Sequence, residues 1–142
     1  MDEEILLATV IAVFLVAICV IIHYEALRVL ARRTLVPGSH RWLILGSVFG
    51  ALLAHVFEIW LFGAGYWTAV ELLELGQVVP APRDAFDYVY YSAMVYTTVG
   101  FGDLVPEGAI RMITSTEALL GLAMITWSAS FTYLQMQRIW RD

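Results

Sequence analysis

At 142 residues the chain has room for one domain, but its composition is not that of a soluble globule. Hydrophobic residues make up 61% and charged residues 15%, against about 45–50% and about 25% in soluble domains. A mean hydropathy of +0.76 agrees, so much of the apolar surface must be covered by lipid, by partner subunits or by both. The net charge is −5 and all eight basic residues are arginine; no basic patch suggests nucleic acid. The single cysteine, Cys19, excludes an intrachain disulfide and reads as a small buried hydrophobe.

Residues 5–22 form an apolar run without a charge, and helix-compatible sequence continues to Arg33. At about 1.5 Å per residue the helix reaches roughly 45 Å, longer than a hydrocarbon core of about 30 Å, so its arginine end is expected to project into water. Its acidic start, Asp2-Glu3-Glu4, is not that of a secretory signal; the segment reads as a retained transmembrane helix. Pro37-Gly38-Ser39 is turn chemistry and closes a first hairpin. A second apolar run covers residues 42–67, interrupted by His55 and Glu58. Residues 71–83, with Pro80 and Pro82, read as an exposed loop that opens with at most a helical turn or two. Asp84 is then a candidate N-cap, with Asp87 three residues later in the manner of a capping box. The short helix it starts, over residues 85–96, is about 18 Å long and cannot span a bilayer. A third span is expected over residues 110–133, followed by a short polar tail from Gln135.

Arginine placement orients these spans. Arg28, Arg32, Arg33 and Arg41 flank the first turn, and Arg138 and Arg141 follow the third span. Three spans put these six on one face. The hairpin and C-terminus are therefore expected in the cytoplasm, and the N-terminus and the loop over residues 68–86 outside.

Between the short helix and the third span lies Thr97-Thr98-Val99-Gly100-Phe101-Gly102-Asp103. Irregular backbone at membrane depth is tolerated only when buried in protein or lining a polar cavity. The alternating glycines admit conformations other residues resist, which can turn successive carbonyls toward one axis. The segment strongly resembles the filter signature of potassium channels, usually written TTVGYGD. Six matching positions at about one in fifteen each make a chance match in a chain this long roughly one in 10⁵. The short helix before it, Pro106 after it and the flanking spans fit the same pattern, and the arginine-derived orientation agrees independently with entry of the pore segment from outside.

The resemblance covers about residues 42–136 as outer helix, pore helix, filter and inner helix. It implies an all-α membrane protein of three spans plus a re-entrant pore helix, with residues 1–36 an additional N-terminal helix and residues 37–142 the pore domain. It implies a cyclic homotetramer, because one chain supplies one pore segment. The filter is then Thr97, Thr98, Val99, Gly100, Phe101 and Gly102, with K⁺ held at Thr98, Val99, Gly100 and Phe101 as the bound and transported ion, and no other cofactor. Coordination by carbonyl rings is that family's established logic. The pore-helix C-terminus near Tyr96 would aim its dipole at a cation below the filter. The pattern His55-x-x-Glu58-x-Trp60 and Glu117 further resemble small bacterial ion-channel proteins with an extra helix.

Single residues carry competing readings. Phe101 replaces the usual Tyr: a tolerated variant, or a softer, more inactivating filter that lacks a hydrogen bond to an aromatic cuff of Tyr90 and Tyr91. Asp103 at the outer mouth would form a ring of carboxylates that concentrates cations, or bond locally to Tyr91 or backbone. Met94 stands where some members carry Glu. Glu117 is expected to reach the pore helix through Ser92 or a backbone group near Tyr96, bracing the filter or only packing the helix. Gly121 is an inner-helix hinge or a close packing point. His55 and Glu58, spaced i, i+3, are ionisable groups within a span; they form a functional site or a mutually satisfied pair, and two ligands alone make no zinc site. No hydroxyl sits in a nucleophile–base arrangement, so no enzyme is expected. No span repeats arginine at every third position, which argues against a voltage sensor. The expected function is passive potassium conduction in the plasma membrane, with lipid and further copies of the chain as partners. A weakly selective cation channel and a non-conducting sensor or accessory subunit remain alternatives.

Overall fold

The structure, a computed structural model, describes residues 2–33 and 40–141; the turn expected at Pro37-Gly38-Ser39 lies outside them. Helix α1 is Asp2–Arg33 and helix α2 is His40–Trp67. A wider π-helical turn, Thr68–Leu72, extends α2 and leads to strand β1, Gly76–Val79. Helix α3 is Ala85–Tyr96, strand β2 is Val105–Gly108 and helix α4 is Arg111–Arg141.

Two elements depart from the sequence expectations. The loop before α3 holds β1, which pairs antiparallel with β2 in the register Gly76↔Gly108 to Val79↔Val105. The hairpin ties the two ends of the α3–filter segment together, and Gln77 Nε2 donates to Glu107 Oε2 across it (2.8 Å). The polar tail is not a separate coil: α4 runs on to Arg141. Gln and Arg are good helix formers that need no apolar face once the helix enters water.

Helix α3 begins as its cap predicts. Asp84 Oδ1 accepts from the backbone N–H of Phe86 (2.8 Å) and of Asp87 (3.3 Å). Asp87 reaches back one residue beyond the usual capping box, accepting from the Arg83 N–H (2.7 Å). Two of the orphan donors of the first turn, the Phe86 and Asp87 N–H groups, are thereby satisfied.

Beside an apolar core, the fold buries ionisable and polar side chains and exposes large apolar ones. Its buried set includes His23, Ser47, Glu58, Ser92, Glu117 and Ser128, while Phe14, Ile21, Phe49, Leu53, Phe57, Leu119 and Leu122 are exposed. Water rewards the opposite arrangement; lipid rewards this one, because an ionisable group there must face protein and find a partner. The stretches Glu3–Arg32 and Trp42–Leu72 are each long and apolar enough to cross a bilayer. Helix α1 packs on α2 and α4, and α3 is wedged between α2 and α4. Two glycines make the wedge tight: a Cβ on Gly63 would lie 2.9 Å from Val89 Cα, and one on Gly121 2.0 Å from the Tyr96 carbonyl oxygen.

Candidate functional site

The segment over residues 97–103 hangs from the C-terminal end of α3. The Thr97, Thr98 and Gly100 N–H groups donate to the carbonyls of Ala93 (3.1 Å), Val95 (2.9 Å) and Met94 (3.1 Å). Thr97 Oγ1 donates to the Ala93 carbonyl as well (2.6 Å). The chain thus turns back beneath its own helix instead of continuing it.

Backbone hand then alternates. Thr98, Gly100 and Gly102 have φ of +59°, +54° and +78°, while Val99 and Phe101 between them do not enter the positive region. A β-branched threonine at positive φ is an uncommon, strained conformation, and such strain clusters at functional sites. No heavy atom lies within 4 Å of a Cβ built on Gly100 or Gly102, so conformation rather than space selects glycine there. The segment is exposed throughout, with Val99 at 52% and Phe101 at 70%.

At its far end Tyr90 donates to Asp103 Oδ2 (2.8 Å), and the carboxylate acceptor holds the Tyr90 phenol above its ordinary pKa range. Tyr91 turns away from this mouth, shares a hydrogen bond with Thr114 Oγ1 (2.8 Å) and packs edge-on against Tyr66 (4.9 Å between centroids). The local bond to Asp103 therefore comes from Tyr90, not Tyr91, and the two tyrosines do not form one cuff within the chain.

Behind α3 stand two buried carboxylates. Glu117 on α4 accepts from Ser92 on α3 and from Tyr66 on α2, each at 2.5 Å. The structure thus places Glu117 against the pore helix through Ser92, and adds Tyr66, which sequence reasoning missed. Glu58 on α2 accepts from the Tyr96 hydroxyl and from His23 Nδ1 on α1 (2.9 Å). His55 Nδ1 lies 3.5 Å from the Glu58 carboxylate, but its hydrogen bond is to Tyr96 Oη (2.9 Å). The i, i+3 pair is therefore one edge of a larger cluster with His23, Tyr96 and Ser128, whose Oγ lies 3.1 Å from His23 Nε2. His23 was legible in principle as an ionisable side chain inside a helix too apolar to carry one without a partner. Tyr96 had been considered only for its backbone. No buried side-chain nitrogen or oxygen among the described residues lacks a partner.

The Gly121 contact leaves the two helices touching backbone to backbone, which accounts for glycine at that position without reference to bending. A family match covers this frame from the second residue of α2 to Gln137 of α4 and leaves out α1. Two helices long and apolar enough to cross a bilayer, with paired ionisable groups buried between helices, indicate a membrane protein. Residues 41–137 match the family described as Ion channel, and the chain belongs to that family. No curated protein and no solved structure matches it.

Proposed function

We propose that the chain is one subunit of a potassium-selective channel that conducts passively as a cyclic homotetramer. The observation that carries this is the segment from Thr98 to Gly102, with its backbone hand alternating at every second residue. Alternating right- and left-handed residues turn successive peptide groups the same way, so their carbonyls form one row. Four rows around an axis replace the hydration shell of an alkali cation. A single chain leaves this row exposed at the end of a helix of 12 residues, too short to cross a bilayer. Lipid does not tolerate such backbone; three further copies and a column of ions and water do.

In this reading α4 is the third span and faces the pore cavity. That fits its mixture of Thr, Ser and apolar residues, which falls short of the apolarity of α1 and α2. The arginines around the α1–α2 connection and in the last turns of α4 support a cytoplasmic side for both in a plasma-membrane protein. Asp103, steadied by Tyr90, faces outside and attracts cations to the mouth.

The test is ion flux through the purified chain in liposomes. Potassium flux with sodium excluded is expected. Equal flux of both ions indicates a weakly selective channel, for which Phe101 is the departure to examine. Absence of flux from an assembled protein rejects conduction. Gly100→Ala places a Cβ at positive φ, at about 1–2 kcal/mol per chain, four times over in the ring. It should abolish selectivity or conduction, and unchanged selectivity would remove the filter assignment.

A further inference from the structure

We propose that His23, His55 and Glu58 form a divalent transition-metal site, of zinc type, that locks α1 to α2 beside the last residue of the pore helix. One ring nitrogen from each histidine and one carboxylate oxygen lie within 4.8 Å of one another. His23 Nδ1 is 2.9 Å from Glu58 Oε1, and His55 Nδ1 is 3.5 Å from Oε2. Ligands about 2.0–2.2 Å from a tetrahedral zinc ion sit roughly 3.3 Å apart; the two histidines approach the carboxylate at separations of that order, one at each oxygen. Two imidazoles and one carboxylate with a fourth position open is a donor set zinc accepts. His23 and Glu58 have no exposure and the His55 side chain has 12%, so an ion here would be shielded from competing water.

Three further features match what a metal site needs beyond its ligands. The first is an outer partner. With His23 Nδ1 on the metal, its proton resides on Nε2, which donates to Ser128 Oγ at the observed 3.1 Å. That bond fixes both the tautomer and the ring orientation. The second is a fourth donor at the open position: the Tyr96 hydroxyl contacts both His55 and Glu58. The third is an access route. His55, Tyr96 and Ser128 line an open, largely apolar cavity of about 540 Å³ between α2, α3 and α4. Charge also favours the ion: Glu58 supplies one negative charge, and the cluster lies at the C-terminal end of α3, where a helix favours cations.

The experiment uses the full-length chain, purified in detergent with a histidine-free tag, stripped with chelator and dialysed against zinc. About one zinc per chain is expected, with a thermal midpoint that rises with zinc concentration. Cobalt in place of zinc should give visible ligand-field bands of a nitrogen–oxygen site. His23→Gln and His55→Gln should each lower retained zinc at least ten-fold. Ser128→Ala, which removes only the outer partner, should weaken binding about 10–100-fold, and His40→Ala should leave it unchanged. Background zinc and no cobalt bands in folded wild-type protein would overturn the proposal and reduce the cluster to a hydrogen-bonded lock. So would variants that retain zinc at the wild-type level. If the glutamine variants fail to fold, the wild-type cobalt spectrum and Ser128→Ala decide the question. Metal content is read without any flux measurement, so this proposal and the conduction reading stand or fall separately.

Discussion

Glu117 touches one donor on each of two neighbouring helices, and its neighbours determine what each substitution does. Glu117→Ala leaves the Tyr66 hydroxyl without its carboxylate acceptor in a buried site, at about 1–3 kcal/mol, and Ser92 with only the Ile59 carbonyl. The assembled protein should therefore dissociate at clearly lower temperature on a heated native gel. Glu117→Gln should not. The amide oxygen accepts from Tyr66, while Ser92, whose Oγ lies 2.9 Å from the Ile59 carbonyl, donates there and accepts from the amide N–H. With assembly kept and the titratable carboxyl removed, single-channel recordings across a pH series should show altered open probability or inactivation. Records that superimpose on wild type would make Glu117 a packing residue. This contact was legible because Glu117 and Ser92 lie in segments the filter motif places side by side. His23 was not: its partner Glu58 is 35 positions away, and periodicity reports the face of a helix but not what meets that face. With Tyr24 and Glu25 following it, His23 resembled the polar end of a span.

Among the elements, α3 is the one whose position matters most, and Gly121 sets how close α4 comes to it. A hinge and a packing point predict opposite signs for Gly121→Ala. Alanine in a helix is about 0.5–1 kcal/mol more stable than glycine, so a pure hinge would gain stability on substitution and lose only bending. A Cβ 2.0 Å from the Tyr96 carbonyl oxygen instead forces the end of α3 to withdraw by about 1 Å. Overpacking of this kind typically costs about 1–3 kcal/mol. The expected outcome is a lower thermal midpoint in detergent together with reduced potassium flux, since the filter begins at the residue after Tyr96. A raised midpoint with slowed gating would favour the hinge. The ends of α3 could be read from sequence because Asp84 caps its start and the glycine-containing segment stops it. The β1–β2 hairpin could not. Each strand is four residues long, β2 contains Pro106, and their register joins segments about thirty positions apart; alternation over so few residues does not distinguish strand from loop. The helical state of the tail could not be read for another reason: loss of apolarity marks where a helix leaves lipid, not where its hydrogen bonds stop.

For the whole molecule, the family match and the packing make different claims about α1. The match begins at residue 41, as though the pore module were complete without the first helix. The packing indicates that it is not. Ala8, Ala12 and Cys19, small residues that allow close approach, are buried against the rest of the chain together with Leu15. His23 supplies one of the hydrogen bonds to Glu58, which has no exposure at all. Between helices in lipid, such packing and hydrogen bonds do the work that hydrophobic burial does in water. Removing residues 1–36 would expose the surfaces of α2 and α4 that α1 covers and cost Glu58 a charge-assisted bond worth about 1.5–3 kcal/mol. The truncated chain should therefore yield little assembled protein by size exclusion in detergent. His23→Leu, which keeps α1 and removes the imidazole with its contacts to Glu58 and Ser128, should assemble with a lowered thermal midpoint. If the truncated chain assembles and conducts as the full chain does, α1 is an appendage to a self-sufficient pore. If truncation fails while His23→Leu matches wild type, α1 acts through packing alone and the buried cluster contributes nothing to assembly. Loss in both, graded in that order, makes α1 part of the frame that positions the pore helix.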